Sequence, residues 1–226
     1  MTRLYIVLSL LLAAAALLAT LILYPQLPEK IPIHWNIHGV VDGYGGREWS
    51  LLTPAILVGI LLLFWVIPWL SPKHFEVDSF RSTYWFIVLV MTGLFVYIHA
   101  LLMWAAWSGK VDITRPMLAG ILVMFALLGN VLGKVRRNFY VGVRTPWTLA
   151  SERVWNDTHR LAAKVCVGGG IIGLVIVVLP LPLPAVIITV VASILVTGLI
   201  PAVYSLILYK RLEKLGQLDL GEKPVG

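Results

Sequence analysis

Residues 4–24 read LYIVLSLLLAAAALLATLILY, 21 positions without an Asp, Glu, Lys or Arg. A helix needs about 20 such residues to cross a ~30 Å hydrocarbon core. The stretch follows Met1-Thr2-Arg3, as a signal peptide would, but its apolar run exceeds the roughly 7–15 residues of a signal and no small-residue cleavage site follows. It reads as a spanning helix. Working outward, five further runs have the same character: 51–70, 84–107, 117–133, 161–179 and 184–209, and none contains Asp, Glu or Arg. A lipid-exposed chain must satisfy its backbone amides internally, which selects helices. The expected fold is therefore all-α, a polytopic membrane bundle of six transmembrane helices.

Composition agrees. The 226 residues are 59% hydrophobic and 13% charged, with a mean hydropathy of +0.90, whereas an ordinary soluble domain is about 25% charged. This excludes a soluble enzyme, a disordered chain and a disulfide scaffold. The single cysteine, Cys166, allows no intramolecular disulfide and reads as a small core residue.

The net charge of +7 would suggest nucleic acid in a soluble protein, but here it records topology, and no direct nucleic-acid partner is expected. One side of the membrane receives fourteen basic residues: Arg3, Lys73, Arg81, Lys134, Arg136, Arg137, Arg144, Arg153, Arg160, Lys164, Lys210, Arg211, Lys214 and Lys223. The other receives four: Lys30, Arg47, Lys110 and Arg115. The positive-inside rule then predicts an N-in/C-in membrane protein, with the lipid bilayer as its first partner. Tyr24, Trp49, Trp69, Tyr84, Trp85, Trp104, Trp107 and Tyr209 lie near span ends and are expected to form aromatic belts. Gly168, Gly169, Gly170 and Gly173 predict a small-residue packing face on the fifth span. Pro54, Pro68 and Pro201 predict kinks or late helix starts, and Pro180, Pro182 and Pro184 a very short outer turn.

Two loops carry the polar chemistry. In the outer loop, residues 25–50, Ile33, Trp35 and Ile37 alternate with His34, Asn36 and His38, a period of two that predicts a short extended segment. Asp42-Gly43 and Gly45-Gly46 read as tight turns. His34 and His38 invite a zinc hypothesis with His99 of the third span as third ligand. On a helix the pair would be ~5–6 Å apart; on a strand it would be roughly 13 Å apart, too far to share an ion. The alternation favours the strand, so no cofactor is expected, zinc being the alternative. A hydrogen bond to a neighbouring helix or to water is the competing role for His99.

The cytoplasmic loop, residues 134–160, holds six of the fourteen positives, and a seventh, Lys164, follows just beyond it. Pro146 forces Thr145 towards an extended conformation, and Thr148 or Ser151 can cap a new helix. On that helix Glu152, Trp155 and His159 are spaced i, i+3 and i+7 and are expected on one face, with Arg153, Asp157 and Arg160 opposite and Arg153–Asp157 as an i,i+4 pair. Three roles compete for this loop: binding anionic headgroups, docking a partner through Trp147, Trp155 and Arg144, or catalysis by Glu152 and His159. No nucleophile and no H-E-x-x-H pattern support the third.

The run Gly142-Val143-Arg144-Thr145-Pro146-Trp147-Thr148-Leu149, followed by Ser151, Trp155, Thr158 and His159, resembles the signature of the SdpI family of bacterial membrane proteins. Leu27-Pro28, Ile31-Pro32, His34, Asn36, Gly39 and Asp42-Gly43 are similar to the N-terminal domain of unknown function that often accompanies it. The resemblance implies a three-span N-terminal domain, 1–110, and a three-span C-terminal domain, 111–226, in the family's six-span, N-in arrangement. It implies immunity to a secreted peptide toxin and the holding of a cytoplasmic transcriptional repressor at the membrane. Arg144, Thr145, Pro146, Trp147, Glu152, Trp155 and His159 would then face the cytoplasmic partner, and His34, Asn36 and Asp42 the toxin. The alternative is a membrane-embedded, metal-dependent hydrolase of peptidase type using the outer histidines. A small-solute transporter is less favoured, because the spans lack the carboxylates that ion coupling needs.

Overall fold

The computed structural model describes residues 1–72, 77–109 and 111–219. Lys73, Lys110 and Lys223 of the charge count lie outside them. The order is α1 (Thr2–Leu23), a hairpin of β1 (Lys30–Trp35) and β2 (Val41–Gly46), α2 (Leu52–Leu70), α3 (Arg81–Ser108), α4 (Thr114–Leu132), a short α5 (Pro146–Ala150), α6 (Glu152–Val178) and α7 (Leu183–Lys214). Single 3-10 turns join the hairpin to α1 (Tyr24–Gln26) and α2 (Arg47–Leu51), and another leads into α3 (Val77–Phe80). Six helices are long and apolar enough to cross a membrane: α1, α2, α3, α4, α6 and α7.

Their packing inverts the soluble pattern. On α1, Leu4, Leu11 and Ile22 are more than half exposed, while Ser9, Ala16 and Thr20 are buried. Large apolar side chains gain nothing by leaving lipid, so the small residues take the helix contacts. Ser9 and Thr20 return their hydroxyl protons to the Tyr5 and Ala16 carbonyls. α1 packs on α3, α3 on α4, α4 on α6 and α6 on α7.

The expected glycine face exists in part. A methyl on Gly170 would lie 2.9 Å from the Leu122 carbonyl and 3.0 Å from Ala126 Cβ of α4, and one on Gly173 would lie 2.5 Å from Leu122; Gly169 meets Thr197 of α7 at 2.8 Å. Gly168 meets nothing within 4 Å. Arg115 clamps the turn after α6: its guanidinium donates to Val177 O (2.6 Å), Leu179 O (3.1 Å) and Leu181 O. Carbonyls at a helix C-terminus lack intrahelical donors and carry the negative end of the dipole, so a cation fits there.

Several expectations are corrected. Tyr84 and Trp85 are not belt residues: both are buried with Trp155, Val88 and Val135 in the main core cluster, and Tyr84 donates to the Phe64 carbonyl at 2.5 Å. Trp69, Trp104 and Trp107 are exposed. The hairpin turn is not at Asp42-Gly43 or Gly45-Gly46, which lie within β2. It falls at residues 36–39, where Asn36 Oδ1 accepts from the His38 and Val40 amides (2.9 and 3.1 Å) and Gly39 takes φ +75°. Asn favours such local bonds and Gly a left-handed backbone. The other glycines permit close approach instead: a methyl at Gly43 would meet His34 Cβ at 2.8 Å, and one at Gly45 would meet Trp49 at 2.6 Å.

Candidate functional site

At the basic end of the bundle the motif begins with Pro146, which holds Thr145 extended at φ −94°, ψ 161°. Thr145 caps α5 and closes a capping box with Thr148, whose hydroxyl donates to Val143 O at 2.8 Å. Three residues on, Ser151 caps α6 by accepting from the Val154 amide at 3.1 Å. Two helix starts are thus packed into seven residues, and Thr148 is the third residue of the box rather than a cap.

α6 starts at Glu152, so the spanning helix carries the residues that the sequence places in a loop. Trp155 and His159 are fully enclosed. Their rings stack with centroids 4.0 Å apart and planes inclined by 21°. Trp155 Nε1 donates to Val135 O at 2.8 Å. His159 Nδ1 lies 2.8 Å from Trp155 O, and its Nε2 accepts from the Val143 amide at 3.0 Å. Accepting at Nε2 requires a lone pair there, so the ring is the neutral Nδ1–H tautomer. Gly142, at φ +113°, makes room for this ring: a methyl would sit 2.2 Å from Nε2.

Asn138 is fully buried beside this group. Its Nδ2 donates to the Arg136 and Val141 carbonyls, and its Oδ1 accepts from the Tyr140 and Val141 amides, all within 2.7–3.0 Å. Thr145 Oγ1 reaches Ser205 Oγ of α7 at 2.9 Å. Asp219, beyond α7, returns to the α6 N-terminus: its carboxylate accepts from Ser151 Oγ and from the Arg153 amide at 2.9 Å. Burial pushes that carboxyl up, but the hydrogen bonds from Ser151 and the first amides of α6 outweigh it and hold its pKa below the ordinary value.

The residues expected at the docking surface are thus divided between surface and interior. Trp155 and His159 are enclosed, whereas Arg144 and Pro146 are exposed and Trp147 is half-buried. The Arg144 guanidinium donates to Phe139 O. Glu152 does not share their buried face: it is exposed at the first turn of α6, where a carboxylate suits the positive dipole end. The Arg153–Asp157 pair is replaced by a contact of Asp157 with Arg160 at 3.8 Å.

At the other end, His34 and Asp42 meet across the hairpin, Nδ1 to Oδ1 2.5 Å, both exposed. The alternation in β1 is broken by a register irregularity between Pro32 and His34, so Ile31 and Pro32 are buried together and Ile33 is exposed. Trp35 Nε1 donates to Val111 O at 3.0 Å, tying the hairpin to the α3–α4 connection. Beneath the hairpin is a cavity of about 180 Å³, lined by Ile31, Trp49, Thr53, His99, Leu102 and Met103 among others. His99 Nε2 lies 2.8 Å from Thr20 Oγ1. That hydroxyl donates to Ala16 O and so accepts from His99, which leaves Nδ1 as the acceptor on a ring lining the cavity. Of the competing roles for His99, the interhelical hydrogen bond is the one observed. Among the described residues no three His, Cys, Asp or Glu side chains come together as a metal group.

Residues 134–205, which run from the start of this block to the Ser205 that meets Thr145, match the SdpI/YfhL protein family. The chain is similar to the SdpI/YfhL family through this segment. Residues 11–58, which include the hairpin, match a domain of unknown function, DUF1648. Over 171 residues, 74% of this chain and 78% of the relative, the chain is 25% identical to the immunity protein SdpI of Bacillus subtilis (strain 168). No solved structure matches it.

The two matched segments hold the two polar ends. Sequence reasoning did not single out Asn138, Ser205, Asp219 or the clamping role of Arg115. Nothing local marks them, since their partners lie elsewhere in the chain or in a loop of irregular path.

Proposed function

We propose that this chain is an immunity protein of a bacterial plasma membrane, conferring resistance to a secreted peptide toxin. The carrying observation is the similarity to an immunity protein along three-quarters of the chain. In this reading the hairpin meets the toxin from outside: His34, Asp42 and the turn held by Asn36 form its polar edge, and exposed Ile33 and Ile37 offer apolar contact beside it. At the opposite end Arg144, Pro146 and Trp147 face a cytoplasmic repressor. Thr145, Trp155 and His159 hold that segment in shape from within, and Glu152 stands at its edge.

The test is survival. Toxin-sensitive cells expressing the intact chain are challenged with secreted toxin, alongside His34→Ala/Asp42→Ala and Arg144→Ala variants checked for equal membrane levels. The intact chain is expected to protect and the hairpin variant to lose protection. Arg144→Ala is expected to protect while retaining less repressor in the membrane fraction. No protection by the intact chain at normal membrane levels would overturn the reading.

A further inference from the structure

Where α3, α4 and α6 leave the apolar zone at the basic end, they surround a polar cleft of about 650 Å³. Arg81, Lys134, Arg136 and Arg160 line it with Asn156, and Asp78 is the single carboxylate among its described lining residues. Two other grooves on the bundle differ: those along α1 with α3 and α4, and along α1 with α2, are lined almost wholly by apolar side chains, as lipid-facing furrows should be.

All four cations of the cleft are exposed. Arg81 approaches Asp78, and Arg160 approaches Asp157, at 3.8 Å, with largely solvent-exposed side chains. Such long surface pairs contribute little and do not commit a guanidinium. Four positive charges on one concave wall repel each other, and an anion between them reverses the sign of that interaction. Guanidinium groups match a phosphate through paired N–H donors. Ser82 and Thr83, also in the lining, open α3, and the residue before that helix provides no side-chain cap. The positive end of the helix therefore adds to the same field.

Depth identifies the source of the anion. Arg81, Lys134 and Arg160 stand one to three residues beyond the apolar runs 84–107, 117–133 and 161–179, the level at which phospholipid headgroups lie. We propose that this cleft binds a phosphate group presented by the headgroup of an anionic phospholipid. It acts as a specific lipid seat joining the first turn of α3 to the segment that leads into the family motif.

The test uses the purified full chain in zwitterionic micelles. Phosphatidylglycerol is titrated against a phosphatidylcholine background with the melting midpoint as readout, and a parallel arm adds inorganic phosphate at the same concentrations. The variants are Lys134→Gln, Arg136→Gln and the quadruple Arg81→Gln/Lys134→Gln/Arg136→Gln/Arg160→Gln. The control Arg153→Gln/Lys210→Gln/Arg211→Gln/Lys214→Gln removes as many charges at the same end outside the cleft. Phosphatidylglycerol should raise the midpoint of the natural chain. Its half-saturating concentration should rise on the order of fivefold per cleft charge removed, while the control responds as the natural chain does. An unchanged response in the quadruple variant, or an equal loss in the control, would overturn the site. Saturation by inorganic phosphate, with no added effect of the lipid, would overturn the lipid as its source.

Discussion

A methyl group at Gly142 would lie 2.2 Å from His159 Nε2 on a backbone at φ +113°. Gly142→Ala is therefore strained twice, by conformation and by contact, and it displaces the acceptor of the Val143 amide. A stability loss of about 3 kcal/mol is expected, read as a lower melting midpoint in detergent. His159→Phe keeps the stacked ring but strands the Val143 amide and should cost about 1–3 kcal/mol; an unchanged midpoint would show that the amide finds another acceptor. Asp219 predicts a pH effect. Its folded carboxyl is held below the ordinary value of 3.8, so its contribution is fully present above that pH and is lost as pH falls through the lowered folded value. Asp219→Asn should remove this acid-side loss and lower the melting midpoint at neutral and alkaline pH, where the carboxylate's contribution is present in the natural chain. The residue types of this region were readable, since Pro146, Thr145 and Ser151 act locally on their own helix starts. The fate of Trp155 and His159 was not, because a helical face says which side chains travel together and not what covers them.

Among the elements, α4 and α6 make the closest helix contact. Gly170→Ala would press a methyl against the Leu122 carbonyl and Ala126, where backbone rather than a flexible tip must move. It is expected to destabilise by about 1–3 kcal/mol. Gly168→Ala, with nothing within 4 Å, should not lower the melting midpoint, since Ala is the better helix former; equal losses in both would show that the contact with Leu122 and Ala126 is not what distinguishes Gly170. The glycine cluster was visible in the sequence, but which glycines face α4 depends on the rotation of α6, which its partners set. The hairpin shows the same division. The extended segment followed from the alternation of Ile33, Trp35 and Ile37 with His34, Asn36 and His38. The turn was misplaced because Gly43, Gly45 and Gly46 advertise turns, whereas here they allow His34 and Trp49 to approach β2.

Across the molecule, Trp155 on α6 shares one cluster with Ile67 of α2, Tyr84 and Val88 of α3, and Val131 of α4. Tyr140 adds a bond to Leu70 O at 3.0 Å. The segment 134–205 is thus keyed into the N-terminal helices chiefly by Trp155, with Val135 in the same cluster and Tyr140 beside it. Trp155→Ala should cost about 3–5 kcal/mol. It should also reduce protection against toxin wherever the intact chain provides it, although the hairpin at the other end is untouched. Full protection at normal membrane levels of this variant would show that the two ends act independently.

Hydrophobicity is summed along a helix one residue at a time, and the bilayer is a solvent common to every span. For that reason the six spanning helices, the extended outer segment and the capped restart before the last two spans were determined by the sequence alone. Pairing is not local. Thr20 and His99 are 79 positions apart, Ser151 and Asp219 are 68 apart, and Thr145 and Ser205 are 60 apart. Only the tertiary structure decided that these groups meet, that Trp155 and His159 are enclosed while Arg144 and Pro146 stay exposed, and that four cations share one cleft. Each outcome depends on which helix lies beside which, and a periodicity in one segment carries no information about its neighbour.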